Sequence, residues 1–224
     1  MTSTSQPIRR VDFSLYSTRN SLLKCSHYQI LDQNTLQPIL APCVVYLHSQ
    51  TGSKLEAKPC LDVLLPLNIS VFTFDFSGCG LSGGEYVTLG YYEKDDVEVV
   101  IRYLRNTLKI DKIGLWGRSM GAVASLLYAE KDPNLSCIVV DSPFCNLNKL
   151  AEDVAISKTN LPGFVIKGAL SFVKSTILKK TKFNMNSLNL EKIVDKCLSP
   201  CLFLGSQLDS FVRFWHVETL HRYY

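Results

Sequence analysis

Apolar residues along the chain fall into two kinds of run. PCVVYLHS (42–49), SVFTFDF (70–76), KIGLWG (112–117), SCIVVD (136–141) and PCLFLG (200–205) are short, nearly unbroken and rich in β-branched or aromatic residues, the pattern of strands buried on both faces. Between them, roughly over 54–65, 94–108, 121–130 and in pieces after Leu147, apolar positions recur at helical spacing. Strands alternating with helices predict crossover units and a largely parallel sheet covered on both faces, an α/β protein. Ahead of this series, DFSLYSTRNSLLKCSHYQI (12–30) reads as strand, polar turn and strand, an antiparallel hairpin.

The long interval between strands runs from Asp141 to Pro200. Within it Ile166, Leu170, Val173 and Ile177 fall at i, i+4, i+7 and i+11, which predicts an amphipathic helix over 162–180 with its lysines off the apolar stripe. Such a helix covers the sheet with a solvated basic face, or it forms a lid that meets acyl chains or an anionic membrane. Charge sharpens the second option. The net charge of +4 is too small to argue for nucleic acid, but no acidic residue lies between Asp153 and Glu191, while Lys158, Lys167, Lys174, Lys179, Lys180 and Lys182 do.

No repeat or flexible linker interrupts the 224 residues, so a single domain is expected. It comprises a hairpin and lead-in (1–41), a core (42–141), a helical insertion (142–199) and a last strand with its helix (200–224). No apolar run spans a bilayer and the start MTSTSQPIRR lacks a secretory stretch, which favours a cytoplasmic protein. The eight cysteines sit in apolar segments and read as small buried hydrophobes; no Cys or His spacing suits zinc, so neither a metal nor another cofactor is expected.

The chemistry concentrates at GLWGRSMGA (114–122). Gly117-Arg118-Ser119-Met120-Gly121 fits G-x-S-x-G, after the strand KIGLWG and before the helical AVASLLYAEK. A turn this tight excludes Cβ atoms at both glycines. It raises the serine hydroxyl at a helix N-terminus, where unpaired N–H groups can stabilise a developing oxyanion. A second glycine-rich stretch, Gly78-Cys79-Gly80-Leu81-Ser82-Gly83, fits the dinucleotide pattern G-x-G-x-x-G, but the following GEYVTLGYYEKDD does not open into a helix, and the stretch is not in the first βαβ unit. A nucleotide site is not expected there.

Taken together, YLHSQTGSKLEA, FDFSGCGLSGGEY, IGLWGRSMGA, VVDSPF and CLSPCLFLGSQLDSFVRFWHVETL resemble the α/β-hydrolase superfamily, in particular an intracellular eukaryotic branch similar to serine aminopeptidases and acyl-protein or lipid hydrolases. The resemblance implies Ser119 as nucleophile and Met120 N–H as first oxyanion donor. It implies Gln50 N–H as the second donor with Ser49 in reserve, Ser49 standing where glycine is usual. Asp209 falls on the acid of the triad, with Asp141 as fallback; Asp75, Asp95 and Asp96 read as structural, as does His48. The expected substrate is a small ester, thioester or peptide-like acyl compound.

The base is the difficulty. The family order is Ser, Asp, His, with the histidine beyond one further helix and strand, or roughly 25 residues. Only 224 − 209 = 15 residues follow Asp209, and the histidines are His27, His48, His216 and His221. The expectation is a fold incomplete at its C-terminus, with CLFLG as an exposed edge, incompletely folded and nearly inactive as it stands. A hydrolase completed by further chain, a non-catalytic binding protein that keeps the pocket, and a hydrolase using His216 as an improvised base remain open.

Overall fold

The computed structural model describes residues 6–159 and 161–224. Strands β1 (Ile8–Tyr16) and β2 (Leu22–Ile30) form the hairpin, paired antiparallel from Ile8 opposite Ile30 to Tyr16 opposite Leu22. Then come β3 (Cys43–Leu47), β4 (Ser70–Phe74), β5 (Ile113–Arg118), β6 (Cys137–Asp141) and β7 (Cys201–Leu204). The sheet order is β1-β2-β4-β3-β5-β6-β7, with β2 antiparallel to β4 and every later pair parallel. The helices are α1 (Lys58–Leu64), α2 (Glu93–Asn106), α3 (Met120–Ala129), α4 (Leu147–Lys158), α5 (Gly163–Thr181) and α6 (Phe214–Tyr223). The α/β class expected from the alternating pattern is the one observed.

Burial explains why the strand sequences carry no polar alternation. All five residues of β4 are buried, because helices cover both faces of the sheet. On one face Tyr46 and Val71 pack on Ala57, Cys60 and Leu64 of α1 and the turn before it. On the other, Phe72, Phe74 and Leu115 pack with Val97, Ile101 and Leu104 of α2 and with α3. Helix α3 is buried at all ten positions, so its sequence MGAVASLLYA has no polar face. Helix α2 starts from a buried carboxylate: Glu93 accepts from Thr88 N–H, Thr88 Oγ1 and Gly90 N–H. Asp96, buried beside it, accepts from Ser77 N–H and Oγ, and desolvation pushes its carboxyl up to about 6.

Chain order in the sheet positions the site. β4 and β5 flank β3 on opposite sides, so the winding reverses at β3. In parallel sheets the crevice at the carboxyl ends of strands beside such a reversal is where ligands bind. Register aligns those ends: Leu47 stands opposite Gly117, Arg118 opposite Asp141 and Asp141 opposite Leu204.

Three expectations need correction. β7 is the edge of the described sheet, the place expected for CLFLG, but the reading of that run as buried on both faces fails, with Leu202 at 56% and Leu204 at 39% of full exposure. Cys137 is exposed and Cys201 only half-buried, whereas the other six cysteines are buried. Helix α5 forms over the predicted span, but of its stripe only Ile166 is buried; Leu170 and Ile177 are partly covered and Val173 is exposed. The physical reason is that α5 packs chiefly on α4 and the turn at Met185–Ser187, and not on the sheet.

Candidate active site

Ser119 sits between the end of β5 and the first turn of α3 at φ 49°, ψ −112°, outside the regions open to ordinary side chains. Two close backbone approaches impose the flanking glycines. A Cβ on Gly117 would lie 2.3 Å from the carbonyl oxygen of Gly121, and one on Gly121 would lie 2.0 Å from that of Leu47. The turn is pinned to the next strand by Ser119 N–H donating to Asp141 O at 2.7 Å. The Ser119 hydroxyl makes no hydrogen bond with any described residue, its own helix included.

A cleft of about 370 Å³ opens at this serine. Ser49, Gln50, Arg118, Ser119, Ser142 and Asp209 line it, with Phe211 and Val212 as its apolar wall. These residues come from the loops after β3, β5, β6 and β7, the four strand ends that the register aligns. Met120, buried, is the first residue of α3, and its N–H is one of the donors a helix leaves unpaired at its start. Gln50 N–H likewise has no acceptor among the described residues. Ser49 is different: its N–H and Oγ both donate to Glu56 Oε2, at 3.0 and 2.9 Å. That removes Ser49 N–H as a free donor. Its φ is not positive, so serine carries no backbone strain at this place.

Asp209 is half-buried in the loop after β7. Its Oδ1 accepts from Phe211 and Val212 N–H at 2.8 and 2.9 Å, which closes the turn, while Oδ2 has no partner among the described residues. Asp141 accepts from Ser142 Oγ at 3.0 Å and lies 3.6 Å from Arg118 Nε. Asp75 is buried and accepts from Lys54 N–H at 2.6 Å and Leu81 N–H at 3.0 Å, bracing the glycine-rich loop against the turn before α1. Asp95 pairs with Lys94 at 3.3 Å in the first turn of α2. The glycine-rich loop runs on to Tyr92 before α2 begins, so no helix N-terminus meets it.

None of the four histidines bonds to Ser119. His27 is buried in the hairpin against Phe72, and desolvation holds it down to about 4. His48 is buried with both ring nitrogens engaged: Nε2 accepts from Phe76 N–H at 3.0 Å, and Nδ1 lies 2.6 Å from Ser49 O. His216, proposed above as an improvised base, is fully buried. Its Nδ1 meets Cys145 Sγ at 3.1 Å and Cys145 N–H at 3.4 Å, its Nε2 faces Asp153 Oδ2 at 3.6 Å, and burial pushes it down to about 4. No hydrogen bond joins it to Ser119. His221 lies on α6 against the ring of Phe203. Among the described residues, no three His, Cys, Asp or Glu side chains could hold a metal ion.

Two residues of the site were not foreseen. Glu56 gathers Ser49, Tyr46 Oη at 3.2 Å and Arg118 Nη1 at 3.4 Å, joining the loop after β3 to the serine turn. Arg118, between Glu56 and Asp141, supplies the one guanidinium lining this cleft. Arg118 is the variable second residue of G-x-S-x-G and could have been singled out; nothing in the spacing marks Glu56.

Comparison with known proteins gives the same architecture. Residues 42–188, well over half of the chain, match the family described as alpha/beta hydrolase fold. The uncharacterized protein YqkD of Bacillus subtilis is 26% identical over 181 residues, covering 80% of this chain and 58% of its own length. A monoglyceride lipase homolog of monkeypox virus is 32% identical over 109 residues, 47% of this chain and 37% of the viral protein. The chain thus spans less than two thirds of either relative. Among solved structures, the Pyrococcus furiosus esterase Pf2001 superposes with a TM-score of 0.74 at 24% identity, covering 96% of this chain and 78% of that one. Strand order, the serine turn at the winding reversal and the matched family agree: this chain belongs to the alpha/beta hydrolase fold family.

Proposed function

We propose that the chain carries the nucleophile and acid of a serine hydrolase that cleaves carboxylic esters, with thioesters and amides as related substrates. The observation that carries this reading is the strained, unbonded Ser119 beside two unpaired backbone donors, Met120 N–H and Gln50 N–H, in one cleft with Asp209. In the reaction, Ser119 Oγ attacks the acyl carbonyl and its proton passes to an imidazole. The carbonyl oxygen becomes an oxyanion that accepts from the two N–H groups. Collapse expels the alcohol or thiol, which takes the proton, and water then hydrolyses the acyl-enzyme by the same steps. The free Oδ2 of Asp209 suits the orienting of that imidazole. No histidine of the chain hydrogen-bonds to Ser119 in this structure. The names of Pf2001 as an esterase and of the viral relative as a monoglyceride lipase homolog favour esters as the substrate class.

The same absence of a histidine favours a second reading, a binding protein that keeps the pocket without turning over. A fluorophosphonate probe separates the two. The hydrolase reading expects the full-length gene product to be labelled at Ser119, to hydrolyse short-chain aryl esters, and to lose both in Ser119→Ala. A folded full-length protein that is neither labelled nor active returns the binding reading.

A further inference from the structure

We propose that α5 is a docking surface for anionic lipid bilayers, on which the protein lies without crossing. The helix turns one side to α4 and the Met185–Ser187 turn, where Ile166 is buried and Leu170 and Ile177 are partly covered. At 100° per residue the opposite side carries Phe164, Val165, Gly168 and Phe172. Phe164 keeps 78% and Phe172 75% of full exposure, and Leu161 just ahead of α5 and Ile156 near the end of α4 are exposed as well. Two phenylalanines on the outer ridge of one helix, flanked by lysines, form an apolar stripe suited to an apolar partner with a charged border.

Charge selects the partner. Lys167 and Lys174 border the aromatic ridge on one side and Lys180 on the other, with Lys179 at its C-terminal end and Lys158 and Lys182 flanking the helix. None of these six lysines forms an ion pair among the described residues, and no acidic residue occurs from 154 to 190. Exposed aromatics bordered by uncompensated lysines match the two layers of an anionic interface: rings enter the acyl boundary while ammonium groups stay among lipid phosphates and carboxylates. A second copy of this chain would bring six more lysines to the contact and repel. No described helix is long and apolar enough to cross a membrane, so the association is with the surface.

The inference rests on the outside of α5 and not on Ser119, and its test needs no turnover. The purified chain is sedimented with vesicles of phosphatidylcholine alone or with phosphatidylserine added. The expected result is about tenfold stronger partition onto the anionic vesicles, falling as salt rises. Phe164→Ser with Phe172→Ser should lower it about tenfold without changing the melting curve, since both side chains are exposed. Lys167→Glu with Lys174→Glu and Lys180→Glu should remove the preference for the anionic vesicles. Equal partition onto both vesicle types, or a preference that survives both sets of substitutions, overturns the proposal. So does a dimer abolished by the phenylalanine substitutions in a chain that ignores vesicles.

Discussion

At the scale of the residue, Ser119 is held where glycine would be more comfortable. A positive φ combined with ψ near −112° costs a side-chain-bearing residue of order 1–3 kcal/mol, and the hydroxyl returns nothing locally because it caps no helix N–H. Ser119→Gly should therefore raise unfolding stability by about 1 kcal/mol in denaturant titration while abolishing reaction with a fluorophosphonate; a destabilised Ser119→Gly chain would mean that the strain is not there. Ser119 was legible in the sequence because it sits in a local motif at a strand end, whereas Asp209 came only from the resemblance to a family, a lone aspartate in a loop carrying no signal of its own. The alternating pattern gave the parallel α/β sheet, but the meeting of four strand ends at one cleft is seen only in the structure. Glu56 was not legible, because its place follows from three segments, Tyr46, Ser49 and Arg118, meeting in space at a spacing no local rule records.

At the scale of the element, that glutamate couples β3, its following loop and the end of β5. Both donors of Ser49 converge on Oε2, so the loop that presents Gln50 N–H is fixed through a partly buried carboxylate. In Glu56→Gln one amide N–H₂ must point at a donor or surrender Tyr46, and hydrogen bonds to a charged acceptor become neutral ones. The expected outcome is about 1–2 kcal/mol of lost stability. On the proposed hydrolase reading, kcat should fall roughly tenfold with KM little changed, because the loop matters most when the oxyanion forms. An unchanged kcat would separate Glu56 from the reaction. Elements also mark the limit of periodicity as a guide. It located α5 to within a residue, yet the expected seat on the sheet was wrong, since a heptad-like stripe reveals that a helix has an apolar side but not which neighbour covers it. For β7 the residues of CLFLG alone read as buried on both faces, because the face on α6 and the open face are equally apolar.

At the scale of the whole molecule, buried titrating groups set the response to acid. His27 and His216 are held neutral, at about 4 against an ordinary 6.5, chiefly by desolvation. His216 also faces Asp153 on α4, Glu191, Lys149, Arg213 and the thiol of Cys145. The unfolded chain binds these two protons first, so the stability they contribute is complete above about pH 6.5 and is lost as pH falls toward 4. Asp96 works the other way: its carboxyl, raised from 3.8 to about 6, keeps a proton in the fold and offsets part of the loss below pH 6. With three histidines, since burial lowers His48 as well, against one aspartate, the melting temperature should drop between pH 7 and pH 5. His216→Gln, which cannot take up a proton, should melt lower at pH 7 but show a shallower drop. Calorimetry across that range checks both, and a flat profile in the parent chain would contradict the burial of the imidazoles.

Helix α3, buried at every position, has one further consequence. Amide hydrogens in a segment with no solvent-facing side exchange only when the surrounding fold opens as a unit. The turn bearing Ser119 is continuous with that segment, whereas α5, resting on α4 and the Met185–Ser187 turn and not on the sheet, belongs to the part that can peel away alone. Local breathing thus falls to the outer helix, and Ser119 moves only with the heart of the protein.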